Sequence, residues 1–205
     1  MIIMDPSNLA LFIITFAALL ILPGPNSAFA VGQALKFGAM GSLWVPLGFM
    51  VATGVHALLV FSGLGVLLHN LPGVFMVGQF LGAAYLLYLS FKAFTATPVQ
   101  QAVSQHRYSK VKMFLSAMLV SITNPKALLA SMMLYPLFIH QHSDYLLQAC
   151  ILGGSAMVIS FTVYASYALL AHTFKGALQS SRLASNTVAA LYLIAACMLI
   201  LKNVL

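Results

Sequence analysis

Acidic side chains are almost missing from this sequence: Asp5 and Asp144 are the only carboxylates among 205 residues. Nine Lys and Arg bring the charged share to 5%, where a soluble domain carries about a quarter. So little charge cannot cover a water-facing surface, and with 62% apolar residues the chain reads as an integral membrane protein in a lipid bilayer. Both aspartates fall near the ends of apolar runs, which excludes a mid-membrane carboxylate to relay a proton or hold a metal ion. Cysteine is confined to Cys150 and Cys197, inside apolar runs, where free thiols behave as small hydrophobes. That excludes a disulfide framework, and no metal motif or cofactor is implied. The basic surplus would point to nucleic acid in a soluble protein. Here it gathers in short connections between apolar runs, as in cytoplasmic membrane loops, so no nucleic-acid partner is implied.

What is present is a series of six apolar runs, at roughly 8–35, 39–68, 72–95, 112–139, 145–171 and 184–202. A spanning helix needs about 20 such residues, and the strands of a membrane barrel only about ten alternating ones. The expectation is an all-α membrane protein with six transmembrane helices. The one long polar connection, 96–111, separates a first three-helix unit (1–95) from a second (112–205). Connections after the first, third and fifth runs hold seven Lys or Arg, while the other side holds only Lys202. This places the odd connections in the cytoplasm and both termini outside. Ala28-Phe29-Ala30 fits a signal-peptidase pattern, but residues 1–7 contain Asp5 and no basic residue, and the run is long for a signal segment.

Prolines interrupt the first run at "LPGPNSAFA" (22–30) and the fourth at "ITNPKALLA" (122–130), with Pro25 over Pro125 and Ala30 over Ala130. Three spans per half make the second half enter from the opposite side, the arithmetic of an inverted repeat with broken first and fourth helices. Pro23 and Pro25 free the carbonyls of Leu19 and Ile21, and Pro125 frees that of Ser121. The restarting helices are expected to expose amides near Asn26–Ser27 and Lys126–Ala127. Loose carbonyls attract cations and helix N-termini attract anions, so the two breaks together suit a zwitterion. The candidate binding residues are Pro23, Gly24, Pro25, Asn26, Asn124, Pro125 and Lys126. Taken singly, either break reads as a simple proline kink; it is the matched pair that points to a site.

Lys126 lies 14 residues past Lys112 and 13 before Ile139, beyond easy reach of either surface. An intramembrane charge costs at least about 2.5 kcal/mol, so Lys126 either partners a carboxylate or ties down carbonyls. His56 is the other deep titratable group; it is a proton-coupling candidate, or a hydrogen-bonded core residue. Gly48, Gly54, Gly63, Gly65, Gly78, Gly82 and Gly153-Gly154-Ser155 suit close helix packing. Tyr85 and Tyr88, three apart on one helix face, read as cavity-lining or as packing.

"LPGPN" (22–26), "LGAAYLLYLSFKAF" (81–94) and "NPKALLA" (124–130) resemble the LysE/RhtB family of bacterial amino-acid exporters, in motif order over essentially the whole chain. The resemblance implies a six-helix inner-membrane protein that moves amino acids out of the cell in exchange for protons. His56 falls where the branch resembling homoserine, threonine and leucine exporters often has histidine. The branch exporting lysine and arginine tends to carry aspartate there. Gln79 and Ser116-Ala117 depart from the family pattern. From the residues alone a passive channel built on the same broken helices remains the alternative, although no charge ring or carbonyl filter is visible. No nucleophile–base pair argues for an enzyme. A scaffold leaves Lys126 unexplained, and a homo-oligomer is compatible with the sequence.

Overall fold

Backbone in hydrocarbon must find its hydrogen bonds within the protein, and a helix provides them within one segment. The computed structural model describes residues 5–63, 72–95, 109–140, 144–173 and 181–201. Among these every regular element is helical: α1 (Pro6–Ile21), α2 (Pro25–Gly41), α3 (Trp44–Phe61), α4 (Pro72–Thr95), α5 (Lys110–Ile122), α6 (Pro125–Leu134), a 3-10 turn (Tyr135–Phe138), α7 (Tyr145–Thr173) and α8 (Ser181–Leu201). Asp5 starts α1 by accepting the Ser7 amide at 3.0 Å, with Pro6 in the first turn where its missing N–H costs nothing. The 3-10 turn follows from Pro136: proline cannot donate the next helical bond.

Two helices, α3 and α7, are each long and apolar enough to cross a membrane, and α1–α2 and α5–α6 qualify as bent pairs. Among the described residues, Phe80–Thr95 of α4 and Asn186–Cys197 of α8 are further apolar helical stretches. Two expected boundaries shift. The first run was expected to stop near residue 35, yet α2 continues to Gly41 across a kink at Gly38 (φ 77°), a left-handed conformation that favours glycine. The second run was expected to reach residue 68, but α3 stops at Phe61, where Ser62 and Gly63 (φ 78°) turn the chain. Gly63 is thus a turn residue rather than a packing one. Gly65 and most of the 96–111 connection lie outside the described residues.

α3 is central, packed along α5 and α7; α2 lies along α7 and α8, α4 along α8, and α1 against α7. Aromatic rings fill the spaces where broken helices pack poorly. Phe12 on α1 meets Phe16 at 5.4 Å and Phe138 of the 3-10 turn at 5.3 Å, and Phe61 closes on Tyr135 at 4.7 Å. Elsewhere, small residues let backbones touch. A Cβ added at Gly48 would stand 2.5 Å from the Phe114 carbonyl oxygen and 2.9 Å from Ala117 Cβ, so α3 and α5 cross at that glycine.

The two faces differ in charge. Asp5 and Asp144 cap α1 and α7 on one face, where the Asn8 amide nitrogen lies 2.8 Å from His140 Nε2. Gln148 there accepts the His140 amide at 2.8 Å and donates to the His140 carbonyl at 3.0 Å. Lys36, Lys92 and Lys112 gather at the opposite end, around one cavity.

Gly48→Leu is expected to force α3 away from α5 and destabilise the fold by about 1–3 kcal/mol, measured as a lowered melting temperature in detergent. Gly154→Ala, at a position with nothing within 4 Å of the added carbon, should leave the melt unchanged.

Candidate functional site: two facing helix breaks

Both second half-helices restart at a proline, Pro25 for α2 and Pro125 for α6. The bends are nearly equal, 65° at the first break and 61° at the second. The breaks also face each other. Asn124 Nδ2 donates to Asn26 Oδ1 at 2.8 Å, and Asn26 Nδ2 donates to Ser121 Oγ, at the end of α5, at 3.0 Å. Asn26, Asn124 and Ser121 are buried, and the Tyr164 hydroxyl lies within hydrogen-bond reach of Asn26. Two amides sealed from water hold this geometry strongly, because breaking either bond would strand a buried polar group at about 1–3 kcal/mol.

The two caps differ. At the second break Asn124 is the N-cap: its Oδ1 accepts the Lys126 amide at 3.0 Å and its carbonyl accepts the Ala127 amide at 3.1 Å. The expected open amides at Lys126–Ala127 are therefore occupied, by the residue that precedes the proline. At the first break the N-cap is Gly24, with no side chain to offer. Ser27 folds back instead: its Oγ accepts the Gly24 amide at 2.8 Å and donates to the Gly24 carbonyl at 2.9 Å. Among the described residues the Asn26 and Ser27 amides have no acceptor, so the first break keeps the open helix N-terminus.

Two carbonyls at the first break meet donors from other helices. The Lys126 ammonium donates to the Leu22 carbonyl, and the Tyr167 hydroxyl of α7 donates to the Ile21 carbonyl. The Ser121 carbonyl takes the Asn124 amide at 3.1 Å. Of the two roles open to Lys126, tying down a carbonyl is the one seen here; its Cδ and Nζ run past Gly24 at ordinary contact distances from where a Cβ would stand. The His56 ring faces the Ile122 backbone carbonyl, which is left over because the Lys126 amide has turned to Asn124. His56 is 1% exposed, and its Nε2 is buried with no partner among the described residues.

The structure therefore brings Gly24, Asn26, Asn124 and Lys126 together and sets His56 against the end of α5 beside them. Pro23 and Gly24 border a cleft of about 200 Å³ that also meets Tyr167 and Ile194. Pro25 and Pro125 act through the backbone. Ser27, Ser121 and Tyr167 escaped the sequence reading. Ser27 alone carried a local signal, three residues after a glycine N-cap, the spacing of a capping box.

The family description "LysE type translocator" matches residues 17–203. A homoserine/homoserine lactone efflux protein of Salmonella typhimurium is 29% identical over 161 residues, 78% of this chain and 78% of that protein. A leucine efflux protein of Salmonella choleraesuis is 28% identical over 159 residues, 76% of this chain and 74% of that protein. An uncharacterized membrane protein of Vibrio cholerae is 27% identical over 161 residues, 78% of each. No solved structure matches the chain at a significant level. A match from residue 17 to residue 203 takes in both breaks and the helices that hold them, and this chain belongs to the LysE-type translocator family.

Proposed function

We propose that this protein is a secondary exporter of small neutral amino acids or their derivatives, of the homoserine and leucine kind. It works by alternating access around the two breaks, in exchange for protons. In this reading the chain crosses the bacterial inner membrane six times as two inverted three-helix repeats, with both termini on the periplasmic side. The observation that carries it is the Asn26–Asn124 bond between two equally bent breaks, with the Lys126 ammonium laid on the first break's carbonyl. Supporting it are efflux relatives covering about three quarters of the chain. The packing of α3 on α7 and of α4 on α8 is also what a two-fold relation between the halves would produce.

The chemistry follows from the contacts. An entering zwitterion offers its carboxylate to Lys126 and its ammonium to the Leu22 carbonyl that Lys126 gives up. Each partner of the resting bond is satisfied again, so little desolvation penalty is left over. The unoccupied Asn26 and Ser27 amides add a second anchor for the carboxylate. Among the described residues the Ile122 carbonyl is the one acceptor facing the His56 ring. A proton on Nε2 needs a new acceptor, which a rearrangement of the breaks would supply. No charged partner for a dibasic side chain exists at this depth, which favours neutral substrates.

Two outcomes test this in proteoliposomes holding the purified full chain, with L-homoserine and L-leucine as probes. Lys126→Ala is expected to lower flux about 30-fold, the scale of losing one hydrogen bond to a charged group, with the protein still inserted and folded by its detergent melt. Normal flux in that variant would end the carboxylate role. Wild-type flux should accelerate under a pH gradient, and His56→Gln should make it indifferent to that gradient. A gradient response that survives the substitution removes His56 from the coupling step.

A further inference from the structure

The breaks are not the largest polar opening. A cavity of about 380 Å³ lies between α2, α4, α5 and α8 on the basic face. Lys36, Lys92 and Lys112 line it, one cation from each of three helices, and Lys36 and Lys92 are close enough to repel each other. The only two carboxylate side chains of the sequence cap helices on the opposite face. Like charges converging on a low-dielectric concavity set up a field that draws an anion in.

The inner end of the cavity is built differently. Gln33 is 3% exposed; its Nε2 donates to the Tyr192 hydroxyl at 2.8 Å, and its Oε1 is buried with no partner among the described residues. Exchanging the two ends of the amide would strand the nitrogen instead, so one polar atom stays unsatisfied either way. Such an atom costs about 1–3 kcal/mol unless something binds it. Tyr85 on α4 donates to Ser116 Oγ on α5 at 2.6 Å, bridging the wall of the cavity. Along α2, Gln33 is seven residues from Asn26, about 10 Å at a helical rise of 1.5 Å per residue.

We propose that this cavity is a cytoplasmic docking site for the amino acid before it reaches the breaks. The lysines hold its carboxylate, and Gln33 Oε1 accepts from its ammonium. The combination selects a molecule with an anionic end and a donor end, and the volume admits a leucine-sized one. The proposal rests on the exporter reading, because only a chain that loads from the cytoplasm uses a site on this face.

The test compares initial rates for L-leucine and L-homoserine between wild type and the Lys92→Gln/Lys112→Gln double variant in proteoliposomes. The variant should raise KM about fivefold or more with maximal rate changed less than twofold. Wild-type KM should rise with added salt, and the variant's, with only Lys36 left, should rise less. Gln33→Leu should weaken competition by L-leucine but leave that by 4-methylpentanoate, which lacks the amine. Unchanged KM in the double variant, with wild-type flux intact, overturns the docking site and spares the exporter reading. Absent wild-type flux for both amino acids overturns the exporter reading and this proposal together. A KM effect seen with phosphatidylglycerol liposomes and lost in phosphatidylcholine would assign the lysines to a lipid headgroup, and overturns the proposal.

Discussion

The constraint on which everything else depends is that a helix broken inside the fold of a membrane protein leaves polar backbone that lipid cannot satisfy. The chain breaks two helices, and each break is completed by the other. Asn124 caps its own helix and reaches across to Asn26; Asn26 reaches back to the end of α5; Lys126 crosses to the Leu22 carbonyl. The donors and acceptors come from both halves of the chain, so neither half can hold its break alone. Packing around the breaks follows from this. α7 must pass close enough for Tyr167 to take the Ile21 carbonyl, and α3 must lie against α5 for His56 to face Ile122.

The halves are nevertheless unequal. α2 is a long half-helix that lies along α7 and α8, while α6 is short and gives way at Pro136 to a 3-10 turn packed into aromatic rings. On the face with the aspartates, Gln148 and His140 are laced together by several hydrogen bonds. On the basic face the helices stand apart around a cavity. Among the described residues, one end of the bundle is laced by hydrogen bonds and the other surrounds a cavity lined by lysines.

Much of this was legible in the sequence because hydrophobic run length and proline position are local signals. The paired breaks at Pro25 and Pro125 and the shared face of Tyr85 and Tyr88 follow from counting along a helix, and both tyrosines do line the basic cavity. What escaped has two causes. Asn before Pro is a local N-cap signal that was not used: Asn124 takes the Lys126 amide two residues on, so the second helix start, expected to be open, is closed. Gln33 reads as an ordinary polar residue until Tyr192, 159 positions away, buries one end of its amide. Helix ends drifted for a different reason: Gly38 and Gly63 stop regular helix by taking positive φ, a choice that hydropathy does not register.

The lysine on the Leu22 carbonyl has an electrical consequence. Because the resting bond joins a cation to a neutral carbonyl, a zwitterion that replaces it leaves the net charge of the site unchanged. Loading and release of such a substrate then move no net charge through the transmembrane field, whose pull is about 2.3 kcal/mol per elementary charge per 100 mV. In the proposed exchange cycle, sensitivity to membrane voltage would come from the coupled ion or from movement of the Lys126 charge itself, while the amino acid would travel electrically silent.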